Sequence, residues 1–373
     1  MEKIFKTYKP ANKKILVHGR THYQGKGPLP LFWSGSGIEM NIRGCTAVYA
    51  DVETDYNVFC QWVTVEVNGA FVARMPVPKG RTKLCLICGR DDENAVSRVR
   101  LYKDVQPMPD DQAACLLIHG IETDGALLAP PKRKLRMEFI GDSYTSGEGA
   151  YGALGEADWI PMWFSGSITY PNLVAKALDA DFHIVSQCGW GIVSGFDNNP
   201  ASTVPSIYDK VCGAAYGERN AALGAANDWD FSSWQPDVVI INLGANDEFA
   251  MECEPFTAAD GTVAKQQDTA ECLERISRTA ERFLAHVREV NPNALIMWVR
   301  QGGSRLIGAV SGAIDRRRMA GDGDVWLCVL DQVEEKDLGA RWHPGAAAHK
   351  KAAESIVREL MQEESIQKIV GKK

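Results

Sequence analysis

Past residue 134 the chain becomes a series of short apolar runs separated by stretches whose apolar residues recur at helical spacing. The runs are Leu135–Ile140, Phe182–Val185, Asp237–Asn242, Ala294–Val299 and Val325–Leu330. The helical stretches include Tyr170–Leu178, Ala270–Val290 and Gly345–Gln362. A strand that is apolar on both faces must be covered on both, and strands joined through helices run parallel. The pattern predicts a mostly parallel five-stranded sheet in a three-layer α/β/α domain. Ligands meet such sheets at the carboxyl ends of the strands. The residues that follow each run therefore carry the functional information.

The first third reads as all-β. Gly37–Ile42, Ala47–Val52, Val58–Val67 and Lys83–Ile87 are rich in β-branched and aromatic residues, with turn signals such as Pro78-Lys79-Gly80 and Arg90-Asp91-Asp92 between them. Asn68-Gly69 inside Val65–Val72 predicts a tight hairpin. A β-sandwich over residues 1–133 is expected, with Pro130-Pro131-Lys132-Arg133-Lys134 as linker and the α/β domain over 134–373.

Composition excludes several classes. Hydrophobic residues make up 45% and charged residues 24%, ordinary for a chain that buries a core. The formal charge is −7, without the basic stripe of a nucleic-acid binder. The one dense basic cluster, Arg316-Arg317-Arg318, reads as a solvated helix face. No apolar run approaches the roughly 18 residues that span a bilayer, so no membrane partner is expected. The opening Met1-Glu2-Lys3-Ile4-Phe5-Lys6 has no long apolar core, and a cytoplasmic protein with reduced thiols is the expectation. Cys85-Leu86-Ile87-Cys88 is read as buried strand thiols on opposite faces, with neither a metal nor a redox role. His18 and His22 have no third ligand in view, and neither metal nor organic cofactor is expected.

Four of the segments that follow the runs share a chemistry. They are Gly141-Asp142-Ser143, the stretch Ser186–Gly191 containing Gly189, Gly244-Ala245-Asn246-Asp247, and Trp342-His343-Pro344. A hydroxyl becomes a nucleophile when a neighbouring base takes its proton, and the tetrahedral intermediate needs donors aimed at its oxyanion. Ser143 and His343 supply the first pair. The Ser143 and Gly189 N–H groups and the Asn246 amide supply the donors. Each residue alone has a plainer reading: Ser143 as a helix cap, Asn246 as a turn residue, His343 as a loop histidine. Four in order at one sheet rim favour acyl transfer.

The same blocks, in this order and spacing, resemble the SGNH or GDSL-type hydrolases, whose domain is flavodoxin-like. Gly19-Arg20-Thr21 and Trp33-Ser34-Gly35-Ser36-Gly37-Ile38-Glu39 extend the resemblance to carbohydrate esterase family 2, in which a jelly roll precedes the hydrolase domain. That resemblance implies an acetyl esterase acting on plant hemicellulose saccharides such as acetylated mannan, glucomannan or xylan. The sequence departs from the superfamily at one place: Ala340 stands three residues before His343, where most members have Asp. The resemblance includes members with a Ser–His dyad oriented by a backbone carbonyl, here expected from Gly339–Arg341; the alternative third member is Asp337, or failing that Glu335.

Trp190 and Trp342 flank two of the blocks and are read as substrate-binding, with Trp159, Trp163 and Trp298 as lesser candidates. Asp142 and Asp247 are read as loop braces, His349 as structural and Cys188 as a small buried filler. Two alternatives stand beside the acetyl esterase: an esterase or lipase for non-carbohydrate esters, and a carbohydrate-binding protein with a vestigial esterase domain.

Overall fold

A computed structural model describes residues 4–371, so residues 1–3 of the opening stretch read above, with residues 372–373, lie outside the described residues. The chain forms two compact units. One comprises Met1–Lys132, Trp159–Ser167 and Lys210–Trp229; the other comprises Arg133–Asp158, Ile168–Asp209 and Asp230–Lys373. Two segments that the sequence reading assigned to the second domain thus belong to the first unit.

The second unit is built on five strands: β1 (Leu135–Gly141), β2 (Ala180–Ser186), β3 (Val238–Asn242), β4 (Leu295–Gln301) and β5 (Val325–Leu330). Their order is β2-β1-β3-β4-β5, and every pairing is parallel. This is the doubly wound order of flavodoxin-like sheets. Every residue of β3 is buried, as expected of a central strand covered on both faces. On one face Met137, Phe139, Ile240, Met297 and Val299 pack in a core with Val174 of the helix Tyr170–Ala177 and Ile356 of the helix Ala346–Leu360. On the other, the Glu138 carboxylate accepts from Tyr208 Oη at 2.7 Å, and the Tyr208 ring meets Phe283 of the helix Ala270–Val290 edge-on. Each fully buried Ile or Val side chain contributes about 1.5–3 kcal/mol, so the alternating apolar blocks hold the layers together.

The long helix begins where the Thr269 side chain accepts from the Cys272 N–H, a conventional cap. The helix Ile307–Met319 ends in the arginine cluster, and here the expectation of a solvated face is corrected. Arg316 binds Glu281 and Ser277, Arg317 faces Asp322 at 3.7 Å, and Arg318 donates to the Val325 carbonyl at 2.8 Å. Cations in a last helical turn also meet the negative end of the helix dipole. Among the described residues no helix is long and apolar enough to cross a membrane.

The first unit carries two antiparallel sheets arranged as a sandwich, with Val48, Ala50, Val52 and Ile118 of one sheet and Val63, Val65, Val99 and Leu101 of the other in a single core. The predicted hairpin is present: Trp62–Val67 pairs with Ala70–Pro76 through Asn68 and Gly69, both at positive φ as a type I′ turn requires. The Arg20 and Trp33 motifs hold the returning segment Lys210–Trp229. Trp33 Nε1 donates to the Val211 carbonyl at 2.7 Å, and Arg20 donates to Lys210 O at 3.1 Å while its guanidinium lies over Trp229. Arg74 binds Asp104 and the carbonyl of Pro161, and Asp104 accepts from the Ser167 N–H. Trp159 is packed between Phe59 and Phe164.

All ten cysteines are free thiols. The reading of Cys85 and Cys88 as buried and separated is corrected, because the strand stops at Ile87 and face alternation no longer applies at Cys88. Both are exposed, and burial of its sulfur together with the neighbouring Cys88 side chain holds the Cys85 thiol above its ordinary pKa. Among the described residues, no group of three or more His, Cys, Asp or Glu side chains is placed to hold a metal ion.

Candidate active site

β1 ends at Gly141, and the chain turns at once into a single helical turn, Ser143–Ser146. Asp142 caps it, its carboxylate accepting from the Tyr144 N–H at 3.1 Å. Asp142 is fully buried; burial pushes its carboxyl up to about 6, against the opposing pull of Arg300 and of that N–H. It is a brace, as expected. Ser143 stands at the mouth of this turn, and its carbonyl accepts from the N–H groups of Gly147 and Glu148. The Ser146 hydroxyl is spent on Ser186 at 2.8 Å.

The loop after β2 carries Gly189 at φ +78°, a conformation that suits glycine. Asp247 fixes that loop by accepting from the N–H groups of Ile192 and Val193, each at 2.7 Å, and of Ser194 at 3.3 Å. Asn246 opens the helix Ala245–Ala250 and donates one Nδ2 hydrogen to the Trp190 carbonyl at 2.9 Å. Its second hydrogen remains available. Among the described residues the Ser143 and Gly189 N–H groups donate to no protein acceptor. An N–H group without a protein acceptor is free to receive an anionic oxygen, which makes these three groups the candidate oxyanion donors.

His343 closes the site. Its Nδ1 lies 2.9 Å from the Arg341 carbonyl, which accepts only, so Nδ1 carries the hydrogen and Nε2 is left as the base. This is the carbonyl arrangement expected from Gly339–Arg341. Asp337 as the third member is corrected: its carboxylate is taken by Lys351. Glu335 is exposed. Arg341 and Trp342 are consecutive non-glycine residues at φ +56° and +55°. Such a conformation persists only where surroundings impose it. Here Arg341 N–H donates to Glu156 O, Nη1 to Ala157 O and Nε to Glu148, each at 2.7 Å.

The serine turn and the histidine loop are stitched together by Glu148 and Gly149. Ala340 N–H donates to Gly149 O at 3.1 Å, and Glu148 Oε2 lies 3.5 Å from His343 Nε2. The sequence reading missed Glu148 and the part played by the Arg341 side chain. The available signal was a charged residue set between glycines directly after the serine turn.

The other candidates separate cleanly. Trp342 is 63% exposed and Trp190 half-buried, both beside the site. Trp298 is fully buried, its Nε1 donating to Leu243 O, which removes it as a substrate contact. Cys188 is buried, and burial with the nearby Glu148 holds its thiol far above the nucleophilic range.

His349 is structural, its Nδ1 accepting from the Tyr170 N–H at 3.1 Å. Burial, and then the charge of His343, lower its pKa to about 3. Below pH 6.5 the unfolded chain therefore binds a proton here that the folded chain refuses. This residue's contribution is complete above that pH and is lost as pH falls, by up to about 1.4 kcal/mol per unit. H349N is expected to flatten the acid side of the stability curve by one proton, read from urea unfolding between pH 4 and 7. An unchanged slope contradicts the assignment.

A serine at a strand end, a histidine held by a carbonyl and N–H groups without protein acceptors on a 2-1-3-4-5 sheet are the features of an acyl-ester hydrolase of the SGNH kind. The GDSL-like Lipase/Acylhydrolase family matches residues 139–351, more than half of the chain. The chain belongs to that family of carboxylic ester hydrolases. It is similar over 97% of its length, and over 99% of the other chain, to an acetyl xylan esterase from the rumen bacterium Butyrivibrio proteoclasticus, at 39% identity and a TM-score of 0.94. A family two carbohydrate esterase from Clostridium thermocellum, solved with cellohexaose, shares the fold at 22% identity and a TM-score of 0.78 over 94% of this chain and 99% of its own. The cellulase/esterase CelE of Acetivibrio thermocellus is 25% identical over 94% of this chain, which spans only 39% of that protein. An acetylxylan esterase / glucomannan deacetylase of Cellvibrio japonicus is 27% identical over 72% of this chain and 70% of its own.

Proposed function

We propose that this protein is a serine esterase that removes O-acetyl groups from hemicellulose-derived saccharides. Ser143 Oγ attacks the acetyl carbonyl while His343 Nε2 takes the hydroxyl proton. The oxyanion is received by the Ser143 and Gly189 N–H groups and the free Asn246 Nδ2 hydrogen. Collapse expels the sugar oxygen, which leaves with the proton from His343, and an acetyl-serine remains. Water then adds to the acetyl carbonyl as His343 takes its proton; collapse breaks the bond to Ser143 Oγ, which recovers that proton from His343, and acetic acid leaves and ionises to acetate.

One observation carries this reading: the 2.9 Å contact between His343 Nδ1 and the Arg341 carbonyl, which fixes the tautomer that leaves Nε2 as a base. A saccharide leaving group is supported by the activities for which the relatives are named and by Trp342, whose exposed ring suits stacking on a sugar face. The test is deacetylation of acetylated xylo- and manno-oligosaccharides followed by NMR, with 4-nitrophenyl esters of rising chain length alongside. Release of acetate from the oligosaccharides is expected, with acetyl preferred over longer acyl groups. A preference for long acyl chains with no action on the saccharides overturns the substrate assignment.

A further inference from the structure

The group that orients His343 is a neutral carbonyl. A carbonyl fixes the ring but supports the positive charge of the imidazolium only weakly. The position that would hold a carboxylate for that task, three residues before the histidine, is Ala340. Yet a carboxylate is present on the other side of the ring. Glu148, with its side chain only 4% exposed, turns one oxygen to Arg341 Nε at 2.7 Å and the other to His343 Nε2 at 3.5 Å. Its own N–H donates to Ser143 O at 3.0 Å, so its place is set by the nucleophile's turn.

We propose that Glu148 is a positioning residue that acts through His343, supplying the negative charge that the carbonyl partner cannot. The two tasks of a triad carboxylate are thereby divided: Arg341 O fixes the tautomer and Glu148 supports the imidazolium. The separation is consistent with this division of labour. At 3.5 Å the contact is too long for a good hydrogen bond, which leaves the Nε2 lone pair unoccupied. Charge acts across that distance without occupying the lone pair. Arg341 prevents Glu148 from closing on the ring by holding its first oxygen.

The groups around the pair are few. His343 faces Glu148 and Arg341 from the two loops, senses the charge of Asp142 at the end of β1, and lies near His349 of the helix that follows. Glu148 faces Arg341, His343 and the Cys188 thiol. Arg341 opposes the effect of Glu148 on the ring, Asp142 reinforces it, and His349 is neutral at working pH.

This inference rests on the acyl-transfer reading, so its test has one arm that does not depend on turnover. His343 is titrated by NMR in the full-length protein, its ring signal assigned with H343N. In E148Q the histidine is expected to titrate about one unit lower than in wild type. On 4-nitrophenyl acetate, the acid limb of kcat/KM should move down by the same amount and the plateau should fall about tenfold. E148D, which keeps the charge, should return both toward wild type, and R341Q, which removes the opposing cation, should raise the titration. If His343 titrates unchanged in E148Q while kcat falls, Glu148 is a structural link only and the proposal fails. Should E148Q not fold, the proposal stands or falls on the signs seen in E148D and R341Q. Wild type without esterase activity would sink the functional reading and leave the titration result intact.

Discussion

S143A is expected to lower kcat/KM for an acetyl ester by about 10⁴-fold or more while barely moving the unfolding midpoint. The two effects separate because of how the turn is built. Asp142, rather than Ser143, caps the helical turn, and the carbonyl of residue 143 keeps both of its acceptor bonds whatever the side chain. No protein partner of the Ser143 hydroxyl is lost, since among the described residues it has none. Alanine also forms helix well. Hydrolysis of 4-nitrophenyl acetate beside thermal unfolding reads both quantities. Retention of more than a tenth of the activity by a folded S143A would remove the covalent route and with it the proposed function.

That prediction was open to the sequence because Ser143, Gly189 and Asn246 each follow a run whose apolar continuity marks a strand of the parallel sheet. The carboxyl ends of such strands share one edge whatever the strand order. The carbonyl partner of His343 was expected from the resemblance to dyad-bearing esterases, with Ala340 standing where most members have Asp and Asp337 left as the alternative. What stayed hidden depends on backbone geometry that residue identity does not announce. Nothing in Ala340-Arg341-Trp342-His343 signals two successive left-handed residues, yet that conformation lets the Arg341 carbonyl reach Nδ1 while the Arg341 side chain reaches Glu148. Asp337 was a reasonable candidate by proximity in sequence, but a lysine fourteen residues on, one of two adjacent in that helix, claims it.

The returning segments were hidden for a different reason. Trp159–Ser167 and Lys210–Trp229 hold only the short helical pieces Pro161–Trp163 and Glu218–Ala222, too short for a periodicity that would assign them to a layer. Their allegiance comes from single long-range contacts such as Trp33 to Val211, which no local pattern encodes. The motifs around Arg20 and Trp33 were noticed as family marks. Their physical role is to hold Lys210–Trp229 against the sandwich within the first unit.

Gly149→Ala is expected to cost about 3 kcal/mol of stability and at least about a hundredfold in kcat, without touching any group that meets the substrate. Gly149 has φ +73°, where an alanine is strained by about 1–2 kcal/mol. A Cβ there would lie 2.2 Å from the Ala340 carbonyl oxygen and 2.9 Å from His343 Cβ. The first of these is backbone and cannot swing aside. The histidine loop must therefore retreat from the serine turn, breaking the Ala340 to Gly149 hydrogen bond and drawing Arg341 away from Glu148. A displacement of about 1 Å at a base is enough for a hundredfold loss. Gly261→Ala is the control: it has φ +85° but nothing within 4 Å of the added carbon. It carries the strain without the clash, so a similar backbone cost of about 1 kcal/mol with unchanged kcat is expected. Comparable kcat losses in both variants would mean that general destabilisation is responsible. A fully active G149A would show that the two loops need not touch for the chemistry to proceed.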